Sequence, residues 1–492
     1  MKLTLTACLC SAFVASAATV PVTDSIGSAI ARAQAGDIVL VSGPTVFRER
    51  VVIDKSIHLL GTNAPVIDGN GSGTPLTIAA SNVEVSGLVV RNSGQDLAAF
   101  DCGILVSAPH AKVHDCRIES DAFGIYLRGI NDCWVERNEI FGSKALATAK
   151  RGNGIHLWKT KRDVIVGNTI HDKRDGIYLS YADDSLIAGN RVWDTRFGIH
   201  YMYSHQNRLL TNSLTDNAVG ATLMFSRQLL VEGNTMVANR RHGLVLKQID
   251  NSQFLRNVVA GQNRGFFVQQ ANQNRFEGNV VATNDIGLYL SNASEQNVFV
   301  GNAFIRNTDQ VWQPPFETEQ GRKGPNSFSE HGRGNYWSDY TGSDRNHDGI
   351  GDTPYHETDV FGYIVDRHPA ARVLALSPAV AMLRKGEELM PLLDTTGVTD
   401  LAPLMQPINA AIVMNVRPHP GPLPQEREGE AALSVKSSAP VAVAAFSPFS
   451  EKSIAQQTAS ALSVGGERFS LSRGERAGVR ASATSSQKPP SQ

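Results

Sequence analysis

The sequence predicts an all-β fold, a right-handed parallel β-helix whose coils stack along a solenoid, and three observations predict it. First, a Gly-apolar-x-apolar word recurs at Gly103, Gly124, Gly154, Gly176, Gly198, Gly220, Gly243, Gly265 and Gly287, with steps of 22, 22, 22, 23, 22 and 22 residues from Gly154 onward. Second, an Asn-x-apolar word runs in phase with it at Asn138, Asn168, Asn190, Asn212, Asn234, Asn257, Asn279 and Asn302. Third, no apolar stripe of helical period crosses these segments, which excludes a helical repeat. A leucine-rich repeat is the nearest rival, but its Leu-x-x-Leu-x-Leu frame is missing.

Period-two apolar alternation makes a short strand with one face inward. Glycine ahead of the strand is expected to supply the positive φ of a tight corner. Asparagine at one corner of successive coils can hydrogen-bond to its own kind up the stack. A single coil cannot bury its inner face, whereas a stack of them can.

In chain order, residues 1–17 read as an export signal: Lys2, an apolar run from Leu3 to Ala15, and a small-residue cleavage site at Ala15-Ser16-Ala17. A lipoprotein box ending at Cys8 is the alternative. Export places the mature chain outside the cytoplasm. Residues 24–35 predict a short helix capped by Asp24 or Ser25, covering the open end of the solenoid. The β-helix is assigned to residues 18–315, with less regular first coils and a loop inserted between Gly142 and Gly152. After cleavage three cysteines remain, Cys102, Cys116 and Cys133, read as buried small apolar residues, with a Cys102–Cys116 bridge as the alternative.

The net charge of −1 gives no bulk field for nucleic acid, so partner choice rests on local patches. Outward positions of the Gly-apolar-x-apolar strand stack Tyr126, His156, Tyr178 and His200, and the next outward column stacks Trp158, Met202 and Met224. This predicts an exposed partner-binding band of aromatic, histidine and methionine side chains. His200, Met202 and Met224 are also candidate ligands for transient copper, because thioether and imidazole suit Cu(I); the other reading is a contact patch in which methionine adapts to a partner.

Residues 316–368 are read as a loop region. Asp344, Asn346, Asp348, the Ile350 carbonyl and Asp352 stand at calcium-loop spacing, although Tyr355 replaces the bidentate glutamate of an EF-hand. A structural Ca²⁺ is expected there, against an Asp/Gly turn held by hydrogen bonds alone. Residues 369–407 predict a helical segment with Ser377 as cap, Pro378 in the first turn, and Ala379, Met382, Leu383 and Leu389 on one side. Residues 408–492 lack periodicity and are rich in Pro, Ala, Ser and Arg; they are expected to be disordered and dispensable.

Many β-helices act on polysaccharides, so a secreted lyase, hydrolase or epimerase is the competing function. It would need converging carboxylates. The candidates Asp172, Asp175, Asp183, Asp184 and Asp194 fall mostly at loop or corner positions.

Four words carry a resemblance over residues 20–407. They are Gly-Ile-His-Tyr-Met-Tyr-Ser from Gly198, Asn335-Tyr-Trp-Ser-Asp-Tyr, Asp348-Gly-Ile-Gly-Asp-Thr-Pro-Tyr and Ala402-Pro-Leu-Met. In this order after a 22-residue repeat, the chain resembles the NosD family of periplasmic maturation proteins for nitrous oxide reductase. The resemblance implies a non-enzymatic scaffold working with an ABC transporter whose permease and ATPase are separate chains. It further implies copper-centre assembly in nitrous oxide reductase alongside a copper-chaperone lipoprotein, with residues 369–407 as a permease contact. The tail from residue 408 departs from the family.

Overall fold

A computed structural model describes residues 17–291, 293–313, 324–357, 364, 368–374, 377–389 and 398–408. The expected export segment and tail therefore lie outside the described residues, apart from Ala17 and Ile408. Three parallel sheets of 13, 12 and 13 strands run the length of the solenoid, each strand pairing with its counterpart one coil away. The chain is a parallel β-helix, as the repeat predicts. We call the sheets first, second and third, starting respectively at Thr19–Pro21, Val51–Ile53 and Val46–Phe47.

The second sheet holds the Gly-apolar-x-apolar word. Its register places Ile125 on Ile155, Ile155 on Ile177 and Ile177 on Ile199, all fully buried. The glycine expectation needs correction. Gly124, Gly154 and Gly176 do not take positive φ. They are glycine because a Cβ would meet the carbonyl oxygen of the next coil's glycine at 2.4, 2.6 and 2.4 Å respectively. The left-handed residues instead precede the ladder asparagines: Arg137, Gly167, Gly189, Thr211 and Gly233, with φ of 51°, 66°, 61°, 54° and 64°.

The asparagine column forms the expected amide ladder. Each Nδ2 donates to the Oδ1 one coil on, at 3.0 Å from Asn168 to Asn190 and 2.9 Å from Asn190 to Asn212. It also donates to a carbonyl in a preceding strand, as Asn190 does to Ile165 at 2.9 Å. Two further polar columns stand at the other corners, one through Asn217, Asn239 and Gln262, the other through Asn274 and Asn297. The buried amides of these columns are thus hydrogen-bonded, as a dry interior requires.

The helix at Ile26–Arg32 covers the first coil, and Ser25 Oγ accepts from the Ser28 amide at 3.0 Å as its cap. The other end is closed by Asp400. Its Oδ2 accepts from the Asn335 amide at 2.6 Å and from Trp337 Nε1 at 2.9 Å, which terminates the asparagine ladder. Ala402–Met405 packs on this last coil, the Leu404 amide donating to the Asn335 carbonyl at 2.9 Å. The predicted helix spans Pro378–Leu389, with Ser377 Oγ accepting from the Val380 amide at 3.3 Å. Among its described side chains Val380 is buried, while Met382 and Leu383 are exposed. No described helix is long and apolar enough to cross a membrane. Cys102, Cys116 and Cys133 are free and buried, and burial pushes each thiol up to about 12.

Candidate metal and partner-binding face

Tyr126, His156, Tyr178 and His200 stand one above another on the outer side of the second sheet. Their ring centroids are 4.7, 4.8 and 4.8 Å apart, the spacing of parallel strands. Lower down the column of chain order, Phe267, Tyr289 and Trp312 stack at 4.7 and 4.5 Å.

The expectation of an open band is corrected at three of these positions. Tyr126 is 2% exposed, His156 8% and His200 7%. Tilted and edge-on neighbours at this spacing cover much of each ring, and flanking side chains cover more. Phe123 lies 5.1 Å from His156 and Phe197 4.9 Å from His200, centroid to centroid. Tyr178, Trp158, Met202 and Met224 are half-buried.

Burial changes what the histidines can do. Neither ring nitrogen of His156 has a hydrogen-bond partner among the described residues, and burial pushes its pKa down to about 3, so the imidazole is neutral. At His200, Nδ1 lies 3.1 Å from Asp175 Oδ2, while Nε2 is buried without a partner. Arg196 holds the same carboxylate through two contacts, at 2.9 and 2.7 Å. Burial alone would raise the Asp175 carboxyl, but hydrogen bonds from His200 and Arg196 outweigh it and hold it below its ordinary value. A carboxylate can only accept, so this contact is an Nδ1–H donation, and in the neutral ring it places the lone pair on Nε2. Metal-binding histidines are fixed in this way.

Two residues along from His200 on the same outward side stands Met202, and Met224 is its partner on the next strand. The fold therefore places an oriented imidazole and two half-buried thioethers on neighbouring positions of one face. That donor set is soft and fits Cu(I). Thr222, the strand partner of His200, also has a buried, unpartnered hydroxyl.

One element of this face escaped the sequence reading. Tyr181, Tyr203 and Phe225 occupy the corner just past the second sheet's outward columns, each with φ of 52–53°. Their rings stack at 5.2 and 4.9 Å, nearly parallel, and Tyr181 and Tyr203 are 52% and 39% exposed. The exposed aromatic ladder is here, one corner over from the predicted column. Continuing the 22-residue step to a third column would have found it. Asp175 was legible only as a spare carboxylate, because its tie to His200 spans a coil.

The calcium-spaced residues lie in one exposed turn. Asp344 accepts from the Asp348 and Gly349 amides at 3.2 and 2.9 Å, and Asn346 Oδ1 from the Asp348 amide at 3.3 Å. Asp348 accepts from the Ile350 amide, and Asp352 from the Arg345 amide, both at 2.8 Å. Ile350 bridges to Leu404. Of the carboxylates weighed for glycosidic chemistry, Asp175 is engaged by His200 and Arg196, Asp172 by His171, and Asp183 by Lys161.

A family model described as "Periplasmic copper-binding protein (NosD)" matches residues 142–342. A protein of Stutzerimonas stutzeri named "Probable ABC transporter binding protein NosD" is 35% identical over 377 residues, 73% of this chain and 85% of the relative. One of the same name from Pseudomonas aeruginosa is 37% identical over 371 residues, 72% of this chain and 85% of the relative. Among solved structures, the Dettilon tailspike protein matches 60% of this chain and 67% of its own, at 17% identity and a TM-score of 0.40. The DFA-IIIase of Arthrobacter chlorophenolicus matches 58% and 92%, at 14% identity and a TM-score of 0.39.

Proposed function

The chain belongs to the NosD family, and from that premise we propose that it is a non-enzymatic periplasmic scaffold supporting copper-centre assembly in nitrous oxide reductase. It acts as the binding component of an ABC transporter system. Its partners are the transporter's permease and ATPase complex, a copper-chaperone lipoprotein and the reductase itself, with residues 369–407 nearest in kind to a permease contact.

The observation that carries the reading is the pairing of Met202 with Met224 beside His200, whose Nδ1 is engaged by Asp175 and whose Nε2 is free. In this reading Cu(I) is cargo, held by those three side chains between chaperone and reductase. The exposed ladder of Tyr181, Tyr203 and Phe225, with Trp158 and Tyr178 beside it, supplies flat apolar surface for the docking protein. The turn from Asp344 to Asp352 binds a structural Ca²⁺ and stiffens the end that carries Ala402–Met405.

Titration of Cu(I) against a competing chelator tests the central claim. Wild type should bind one ion, and the Met202→Ala, Met224→Ala double variant should bind at least tenfold more weakly. Equal affinities would remove these residues as ligands.

A further inference from the structure

A second cluster of ligating side chains lies on the first sheet, away from the face described above. His58, Glu84 and His114 each offer one donor atom, and the three atoms lie within 4.8 Å of one another. His58 is the strand partner of Glu84, and His114 is the partner of Ser86, two residues further on the same outward side. All three are partly buried. Three successive coils therefore contribute one ligand each.

We propose that His58, Glu84 and His114 form a binding site for a divalent transition metal ion of the Zn²⁺ or Cu²⁺ class, stapling the first coils together. The donor set is two imidazoles and one carboxylate, a common three-ligand set for such ions, with a fourth position left for water or Ser86. Nitrogen and oxygen donors without thioether separate it in chemistry from the His200 face.

The surrounding contacts are those of a prepared site. His114 Nδ1 lies 2.6 Å from Asp115 Oδ2, and Arg137 Nη2 holds that same oxygen at 2.8 Å. The ring is thus oriented with Nε2 toward Glu84 Oε1, 2.7 Å away. A bound metal would take the place of this direct contact, held between Nε2 and Oε1. His58 Nε2 lies 2.9 Å from Ser86 Oγ. Lys112 Nζ, 3.9 Å from Glu84 Oε1, opposes a cation; its side chain is 41% exposed and free to swing into water. Tetrahedral ligands of Zn²⁺ stand about 3.4 Å apart, so small side-chain rotations complete the geometry.

The staple answers a need of this part of the chain. The coil steps here, from His58 to Glu84 and from Ser86 to His114, are 26 and 28 residues, longer than the regular 22-residue coil. The longest asparagine ladder begins only at Asn138, with the Cys116 amide donating to it. Coils before it lack that tie, and an ion shared by three of them would supply one.

The test uses the full chain, stripped with chelator and titrated with ZnCl₂ by calorimetry. The expected result is one saturable site of micromolar or tighter affinity and a raised thermal midpoint. His58→Gln with His114→Gln should weaken binding at least a hundredfold. Asp115→Asn, which leaves the ligands in place, should weaken it about 10- to 100-fold. Zinc-dependent shifts in the wild-type imidazole NMR signals should be confined to His58 and His114, a readout independent of any variant's folding. Absence of a saturable site, unchanged affinity in the double variant, or shifts at other histidines would each overturn the proposal. So would loss of zinc binding in the Met202→Ala, Met224→Ala variant, which the copper reading leaves untouched here.

Discussion

His200 and Asp175 are 25 residues apart in the chain, yet Nδ1 of one lies 3.1 Å from Oδ2 of the other. The contact joins neighbouring coils and fixes the imidazole tautomer. Replacing Asp175 by Asn keeps the shape and removes the charge that stabilises a metal-bound imidazole. Asp175→Asn should weaken Cu(I) binding about 10- to 100-fold, measured by chelator competition. An unchanged affinity would show that His200 is not a ligand.

The buried imidazoles make stability depend on acid. His156 is pushed down to about 3 and His242 to about 4, both by burial and both from 6.5. Between those values the unfolded chain binds protons that the folded chain refuses. The stability they protect is fully present above about pH 6.5 and is lost as pH falls toward 4 and 3, at up to about 1.4 kcal/mol per pH unit for each group. The thermal midpoint should therefore fall from pH 7 to pH 5. His156→Phe, which preserves the stack between Tyr126 and Tyr178, should flatten that slope.

The glycines of the second sheet are close-packing residues. A Cβ on Gly176 would lie 2.3 Å from Val192 Cγ1 and 2.4 Å from the Gly198 carbonyl oxygen. Gly176→Ala should cost about 1–3 kcal/mol or more, because neither backbone nor packed valine can yield. Gly386, in the helix Pro378–Leu389, has nothing within 4 Å of the added atom. Gly386→Ala should instead stabilise the helix by about 0.5–1 kcal/mol. Denaturant midpoints and helix content measure the two, and equal signs would refute the packing explanation.

Calcium should act on the closing end of the solenoid. At a hundredfold excess over its dissociation constant, Ca²⁺ would add about 2.7 kcal/mol, and EDTA should reverse it. Asp344→Asn keeps the turn's acceptor oxygen and removes a charge, so it should abolish the calcium response while leaving the EDTA-treated protein nearly unchanged. If wild type shows no calcium-dependent shift in midpoint, the turn is held by its amide hydrogen bonds alone.

The repeat in the sequence settled the fold, the register and the columns. A coil of fixed length returns each residue above its counterpart, so Tyr126, His156, Tyr178 and His200 stack as spacing alone requires. The asparagine ladder and the cap at Ser25 followed from the same periodicity and from local hydrogen-bond chemistry. Whether a column was open to solvent was decided only by the tertiary structure. Exposure depends on what lies beside a side chain as well as above it, and Phe123 and Phe197 come from positions the outward alternation does not weigh. The role of the repeated glycine was decided there too, since a clash with the next coil's carbonyl has no local signature. Likewise His58, Glu84 and His114 share no word and no regular step. Only the pairing of irregular coils brings their donor atoms together.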